Sequence, residues 1–501
     1  MVTPNRATRI TSGSDLLGRL LPNWVPIAPW RWWIHMRQVF LPMSYIWSNK
    51  FSYTSTVLTL QLRHELYTQP YSSIDFASHR NTISDRDNYH PKSGILNTIN
   101  WALVHIWVPY LRSDALIKRA EDYTFDLIRR EDENTDYSNL GPVNSPMNFL
   151  ACYIQEGPDS YSVKRHRERL HDFLWMKDEG MLMNGTNGVQ TWDTSFLIQA
   201  VVEAGLASDP RWKSTLAKAH EFLDDQQIRE DVPEPDVCYR HRRKGAWAFS
   251  TREQGYTVSD CTSEGLKSVI MLQEIPGFPC LISDERLRDA VDTLLTLQNP
   301  SGGCASYETT RGSEYLEHLN GAEVFGRIMV EYDYPECTTA VVTALSLFSN
   351  QDPEYRKDDI ARTLDGAVKY IRKAQRADGS WYGSWGICFT YAGMFALESL
   401  ASVGETYETS ARVRNSCEFF VGKQRKDGGW GESYKSCETG IYTEHTNSQV
   451  VQTCWALIGL MHAGYPEQGP IEDGIRLVMS RQLPQGGWAQ EAIEGVFNKS
   501  W

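Results

Sequence analysis

Asp260, in the run Thr257-Val-Ser-Asp-Cys-Thr-Ser-Glu264, has a thiol beside it at Cys261 and a second carboxyl one helical turn on at Glu264. A carboxyl in apolar surroundings is held neutral, because desolvation penalises its charged form. Each unit by which its pKa rises corresponds to about 1.4 kcal/mol. A thiol is a weak donor that steadies such a group without ionising it as an arginine would. A neutral carboxyl among aromatic side chains suits proton donation to an apolar, polyolefinic substrate. The competing reading makes Asp260 a helix N-cap, since it precedes a helical run beginning at Ser263.

Composition narrows the setting for that chemistry. The 501 residues suffice for two or three domains and a large core. The 17 Trp, 24 Tyr and 17 Phe form an unusually large aromatic store, which serves packing as readily as a site. A net charge of −13 argues against a nucleic-acid partner, which needs a basic footprint. Ten scattered cysteines without a CxxC pair read as reduced thiols facing the cytosol. No apolar run reaches the eighteen or so residues of a spanning helix, with 101–111 and 340–348 too short. Arg6 and Arg9 precede no apolar signal core, so no secretory signal is indicated.

The elements that must hold Asp260 are announced by a repeat. Gln375-Arg-Ala-Asp-Gly-Ser-Trp381, Gln424-Arg-Lys-Asp-Gly-Gly-Trp430 and Gln482-Leu-Pro-Gln-Gly-Gly-Trp488 share the pattern Gln-x-x-x-Gly-x-Trp. Gln298-Asn-Pro-Ser-Gly-Gly-Cys304 ends on cysteine instead, and a looser copy runs from Gln226 and Gln227 to Gly245-Ala-Trp247. Spacings of roughly 50–75 residues leave room for a helix pair per unit. The glutamine can bond free backbone groups of the next helix, the glycine permits a tight turn and the tryptophan covers it. These tryptophans are therefore structural.

Periodicity predicts helices over 192–204, 263–274 and 447–462, with Phe196, Leu197, Ala200, Val201 and Ala204 on one face of the first. Strand-like alternation is scarce. The expected class is all-α, built of α/α barrels whose inner helices surround one interior. A stretch dense in Pro and Trp runs over 22–45 and includes His35, and residues 131–144 read as an acidic, loop-like connector. The best boundary lies near Gly185-Thr-Asn-Gly188, giving domains 1–185 and 186–501.

Several motifs, in order along almost the whole chain, resemble those of the oxidosqualene cyclases of the terpene cyclase/mutase family, and within it the fungal lanosterol synthases. They are Leu41-Pro-Met-Ser-Tyr45, Glu131-Asp-Glu-Asn-Thr135, Gly141-Pro-Val-Asn144, Gly185-Thr-Asn-Gly188 and Gln190-Thr-Trp-Asp193. Val258-Ser-Asp-Cys-Thr262, Glu336-Cys-Thr338, Gly383-Ser-Trp-Gly-Ile-Cys-Phe389 and Gly495-Val-Phe-Asn-Lys-Ser500 continue the series. In that family the Gln/Trp repeats are called QW motifs.

The resemblance implies an acid, Asp260, that protonates the epoxide of (3S)-2,3-oxidosqualene, with Cys261 and Cys337 as its thiol partners. It implies that Glu264 helps supply protons through water. It makes Trp192, Phe249, Trp385, Phe497, Phe325 and Trp33 aromatic faces that line the substrate path or stabilise ring cations. His35 and Tyr307 become a polar pair for the final proton loss. No cofactor and no metal are implied. The resemblance also implies a monotopic attachment to the cytosolic face of the endoplasmic reticulum membrane or a lipid droplet. Against the family pattern the chain starts late and stops at Trp501. On this reading, 1–185 is the C-terminal part of a non-catalytic barrel, and 186–501 a catalytic barrel lacking its C-terminal end.

Other readings compete. Squalene–hopene cyclases carry Asp-x-Asp-Asp, whereas Val258 and Cys261 stand at its outer positions here; an epoxide, more basic than an alkene, needs only the weaker acid. A protostadienol-type cyclase differs just after Phe497. A zinc-dependent prenyltransferase subunit would rest on Asp236-Val-Cys238 alone. A class I terpene synthase would need further carboxylates beside Asp224-Asp225 or Asp358-Asp359. An inactive remnant would keep the acid motif without a sealed pocket.

Overall fold

A computed structural model describes residues 20–497, apart from 77, 80, 81, 178 and 179. Arg6, Arg9 and the Asn-Lys-Ser that ends the last quoted motif lie outside the described residues. The chain divides into two compact units. Residues up to Asn187 form the first together with Arg311–Val330; Gly188–Thr310 and the residues from Glu331 on form the second.

The first unit contains α1 (Ile34–Asn49), α2 (Val57–Leu66), α3 (Gly94–Ala102), α4 (Asp114–Asn134), α5 (Asn144–Glu156) and α6 (Tyr161–Arg169). A π-helical stretch, Leu103–Leu111, prolongs α3. Strands β1 (Leu174–Lys177) and β2 (Gly180–Met183) pair as a small antiparallel hairpin. α1 packs on α4 and α5. The expected connector over 131–144 is shorter than that stretch: residues 135–143 link α4 to α5, while α4 itself runs to Asn134, with Glu131 and Asp132 buried. Asp132 accepts from Asn139 Nδ2 (2.7 Å), Asn148 Nδ2 (2.9 Å) and Cys152 Sγ (3.3 Å), and His166 Nε2 lies 3.2 Å from it. Four partners in reach of one carboxylate repay its desolvation and fasten α4, α5 and α6 together.

The second unit contains α7 (Gln190–Glu203), α8 (Pro210–Gln226), α9 (Pro235–Cys238), α10 (Ser259–Gln273), α11 (Asp284–Leu295), α12 (Pro335–Gln351), α13 (Lys357–Ala374), α14 (Cys388–Ser402) and α15 (Ala411–Lys423). After β3 (Trp430–Glu432) come α16 (Lys435–Thr439), β4 (Glu444–Gln449), α17 (Val450–His462) and α18 (Gln468–Ser480). Helices α7, α10, α12, α14 and α17 pack in succession as an inner row. Each carries an outer partner: α8, α11, α13, α15 and α18 respectively. This is the alternation of an α/α barrel in an all-α chain, with two small antiparallel sheets among the described residues.

Burial explains which helices go inside. In α10 the buried set runs unbroken from Ser259 to Ile270, as expected of a helix covered on every side. The outer α13 buries one stripe, Ile360, Thr363, Ala367, Val368 and Ile371, at helical spacing.

The repeat fastens each outer helix to the next. Gln375 Nε2 donates to the Gly379 carbonyl (3.0 Å) and to the Arg412 carbonyl in the first turn of α15 (3.1 Å). Gln424 does the same with Gly428 and Pro470, Gln298 with Gly302 and Thr363, and Gln227 with Gly245 and Arg286. The indole of Trp381 donates to Ile371 O at 2.8 Å, in the last turn of the helix it follows. Trp430, Trp247 and Trp488 treat Phe420, Leu223 and Val478 alike. The tryptophan therefore serves one of the carbonyls left without a partner at a helix C-terminus, while the glutamine reaches forward. Gly379 has φ 90° and sits so close to α15 that a Cβ would lie 2.5 Å from Asn415 O.

Cys304, at the place of tryptophan, keeps the backbone half of the arrangement. Its amide donates to Thr338 Oγ1 (2.9 Å), as those of Trp247 and Trp430 donate to Thr262 and Thr453.

Candidate active site

Asp260 is the second residue of α10, not its cap; Val258 holds the N-cap position. The helix begins four residues before the predicted Ser263, because Ser259, Asp260 and Thr262 are good first-turn residues and lie buried here. The Asp260 Oδ1 accepts the Cys261 amide at 2.8 Å. Its Oδ2 faces the thiol of Cys337 at a long 3.9 Å, from the first turn of α12. Neither contact brings a full positive charge.

Burial is the first cause that raises the Asp260 carboxyl, from 3.8 to about 7. The Cys261 amide opposes it, and the like charges of Glu264 and Glu336 add to it. Burial and then Asp260 itself push the Cys261 and Cys337 thiols well above their ordinary range, so both remain S–H donors. The arrangement is an acid that stays largely neutral up to about pH 7, with a helix N-terminus beneath it to receive the charge once the proton has gone.

Glu264, fully buried one turn further on, accepts from Gln199 Nε2 (2.8 Å) and pairs with Lys267 Nζ (2.9 Å). Glu336 does different work. Its Oε1 accepts the amides of Ser384 (2.5 Å) and Trp385 (3.3 Å), which fixes the backbone that carries the Trp385 ring.

The aromatic residues of this unit fall into groups. Trp192, in the first turn of α7, lies 5.8 Å from Phe249 and 4.7 Å from Phe196, centroid to centroid. Phe249 continues to Tyr307 (6.5 Å), and Tyr307 to Tyr256 (6.1 Å). The Thr191 amide holds the Phe249 carbonyl at 3.0 Å and so sets the first pair. Trp385 packs on Tyr334 at 4.5 Å. Trp192, Phe249 and Trp385 are only partly buried, leaving ring surface for another molecule. Phe497 ends a segment that returns to Trp385: the Val496 amide donates to Trp385 O at 2.8 Å, and the Ile387 amide to Glu494 O at 3.0 Å.

Sequence reasoning missed Tyr391. Burial first, then Glu336 and Asp260, raise its phenol well above the usual range, so it faces the same carboxyls. Its ring also packs on Trp455 (5.0 Å) and Phe395 (5.1 Å). It stands two residues past the motif ending at Phe389, where the run Cys388-Phe-Thr-Tyr391 was the available signal.

Trp33, His35 and Phe325 belong to the first unit. Trp33 is buried, with its ring 4.2 Å from that of His35, and its amide donates to Met329 O at 2.8 Å. Burial, then the Arg37 guanidinium, pushes His35 down to about 3, so this imidazole is neutral at ordinary pH. Phe325 is 36% exposed.

One further cluster escaped the sequence. Asp132, Cys152 and His166 each bring a potential metal ligand atom within 4.8 Å of the others. Burial raises the Cys152 thiol far up, and both it and His166 face the Asp132 carboxylate. Their chemistry here is that of a hydrogen-bonded hub.

The profile of the squalene-hopene cyclase C-terminal domain matches residues 189–499. The chain is 66% identical over 481 residues to lanosterol synthase erg7A of Aspergillus fumigatus, covering 96% of this chain and 64% of that protein. It is 62% identical to lanosterol synthase erg7B of the same organism, covering 96% and 68%. To lanosterol synthase ERG7 of Saccharomyces cerevisiae it is 47% identical, covering 96% and 66%. The chain thus spans about two thirds of the length of these relatives.

Proposed function

The chain belongs to the family of squalene-hopene and oxidosqualene cyclases, and we propose that it cyclises (3S)-2,3-oxidosqualene to a tetracyclic sterol precursor, lanosterol. The observation that carries this reading is Asp260: a fully buried carboxyl with a pKa of about 7, set among thiols and backbone amides.

In this mechanism the Asp260 O–H protonates the epoxide oxygen, the C–O bond breaks, and the neighbouring alkene closes the first ring. Positive charge then migrates along the folded polyene with no fixed counter-ion. Water would quench it, so the walls must offer electrons without a nucleophile. Aromatic faces attract a cation by about 0.5–2 kcal/mol each, and Trp192, Phe249 and Trp385 take that role, with Phe497 nearer the later rings. Shape then confines the polyene before reaction and lowers the entropic part of the barrier. Cys261 and Cys337 steady the acid, and Glu264 returns its proton. Trp33 and Phe325 line the substrate path. The neutral imidazole of His35 is assigned to the final proton loss, and so is Tyr307 on its own unit.

A single-acid motif distinguishes this substrate from the plain alkene of a squalene–hopene cyclase. The second unit, Gly188–Thr310 with the residues from Glu331 on, serves as the catalytic domain, the inserted Arg311–Val330 folding with the first unit, and the Gln-x-x-x-Gly-x-Trp elements act as its QW repeats.

We further infer a monotopic attachment to the cytosolic face of the endoplasmic reticulum membrane or a lipid droplet. Among the described residues no helix is long and apolar enough to cross a membrane. In the first unit, α2 exposes Val57, Leu58 and Leu66, and the stretch after Ile95 exposes Trp101, Ile106 and Tyr110. Apolar side chains so open to solvent fit a lipid surface.

The test is incubation of the purified chain with oxidosqualene and mass spectrometry of the products. Lanosterol from the wild type and none from Asp260→Asn is the expected pair of results. Turnover retained by D260N would remove Asp260 from the mechanism, and a different tetracycle would correct the product.

A further inference from the structure

An acid that gives its proton away in every turnover has to recover one from solvent, and Asp260 is buried. We propose that Glu398 and Lys267 form the solvent-side half of that route, with Glu264 as the inner carrier; this rests on Asp260 being the acid. Glu264 on α10, Lys267 one turn later and Glu398 on α14 make a chain of contacts. Lys267 Nζ lies 2.9 Å from Glu264 Oε2 and 3.3 Å from Glu398 Oε1. The side chains of Glu264, Lys267 and Glu398 are 0%, 7% and 22% exposed, so the chain climbs from the core toward solvent. The inner oxygen, Glu264 Oε1, is buried and has no hydrogen-bond partner.

The charges favour proton entry. Two carboxylates share one ammonium, which leaves one negative charge in excess where little water screens it. A solvent proton adds to Glu398. Lys267 then gives one of its three N–H protons to Glu264 Oε2; that N–H bond breaks as the O–H bond forms. The freed lone pair on Nζ takes the proton from Glu398, which returns to carboxylate. Lysine and Glu398 end unchanged, and one proton has moved inward. Glu264 returns to carboxylate when ionised Asp260 regains its O–H.

The other groups facing Asp260 give no such ladder. Glu336 gives Oε1 to the amides of Ser384 and Trp385, and its buried Oε2 has no hydrogen-bond partner to lead outward. Cys261 and Cys337 are fully buried thiols, and Tyr391 is a half-buried phenol raised well above its usual range. Gln199, which faces Glu264 from α7, does not titrate. Lys267 and Glu398 act on Asp260 only through Glu264, so they are positioning residues.

The experiment compares single-turnover with steady-state cyclisation of oxidosqualene by the full chain. Glu398→Gln is nearly isosteric and partly exposed, so it preserves the fold. Its first turnover, which uses a proton already on Asp260, should run at the wild-type rate, while its steady-state rate falls about tenfold or more. K267R, whose guanidinium keeps the positive charge but gives up no proton, should lose steady-state rate as K267M does, and a K267R rate close to wild type would overturn the relay. Equal losses in both regimes, or none in either, would overturn the route.

A second readout is independent of turnover. After transfer into D2O, infrared difference spectra follow O–H to O–D exchange at Asp260, identified by its absence in D260N. Exchange should be about tenfold slower in E398Q. Identical exchange rates refute the relay. A wild type that exchanges but makes no cyclised product refutes the proposed function alone.

Discussion

Asp260→Asn should stabilise the protein at neutral and alkaline pH while removing its activity. The folded Asp260 has its pKa raised from 3.8 to about 7 by burial. The stability carried by a neutral buried carboxyl is fully present below 3.8 and is lost as pH rises through about 7, because the unfolded chain releases its proton first. That shift of about 3 units amounts to about 4 kcal/mol lost to the wild type above pH 7. Asparagine does not titrate and escapes the loss. It keeps a carbonyl for the Cys261 amide and gives up only the long thiol contact from Cys337, a change of about 1 kcal/mol at most. Between about pH 5 and about pH 8 the advantage of the variant over the wild type should therefore grow by about 3 kcal/mol. Calorimetric melting of both proteins at both pH values measures it. A difference in melting that is the same at the two pH values, or that favours the wild type more at the higher one, would refute the claim that a desolvated neutral acid sits at this position.

Three further outcomes are expected. Cyclisation by the wild type should be level in acid and fall about tenfold per pH unit above pH 7, as Asp260 ionises; a profile still level at about pH 9 contradicts the assignment. Gly379→Ala places a Cβ 2.5 Å from Asn415 O at a φ of 90° and should cost about 2–4 kcal/mol, whereas Gly486→Ala, with the same sign of φ but nothing within 4 Å, should cost only the backbone strain; thermal melts compare them. Glu432 is buried and accepts the Cys388, Phe389 and Thr390 amides at the start of α14, so Glu432→Ala should destabilise by about 3–5 kcal/mol, read as lost soluble yield and a lowered melting temperature.

What the sequence carried well was local. Asp260, Cys261 and Glu264 lie within one helical turn or so, and the Gln-x-x-x-Gly-x-Trp element has its glycine and tryptophan within six residues of its glutamine. The helical class followed from periodicity, which burial of one face enforces. The start of α10 did not, because Ser, Asp and Thr compete with the backbone in exposed helices yet lie buried in this one. The acceptor of each repeat glutamine sits some 37–65 residues further on, beyond any local pattern. The Asp132 hub joins residues 20 and 34 apart, and its acidic surroundings read as a loop until Asn139, Asn148, Cys152 and His166 are seen to converge. Glu336 reaches the Trp385 backbone across 49 positions. The partnership of Lys267 with Glu398, across 131 positions, carries no sequence signal at all.

The acid strength of Asp260 reflects a contest that substrate itself should tilt. Its carboxyl lies in the first turn of α10, where the helix N-terminus favours charge by about 0.3–1 kcal/mol, up to about 2 in buried geometry. Burial outweighs this, since the net shift to about 7 corresponds to about 4 kcal/mol in favour of the neutral form. Water admitted beside the carboxyl weakens the burial side and leaves the helix unchanged, so a wet site holds a weaker proton donor in the useful sense: an ionised one. An apolar ligand excludes that water and pushes the balance back. A saturated C30 hydrocarbon, which fills the site without reacting, should therefore raise the titration midpoint of Asp260 by about 1 unit or more, seen in the infrared carboxyl band that D260N lacks. A midpoint that stays put on binding would mean the carboxyl is desolvated by protein alone, and that substrate contributes nothing to arming the acid.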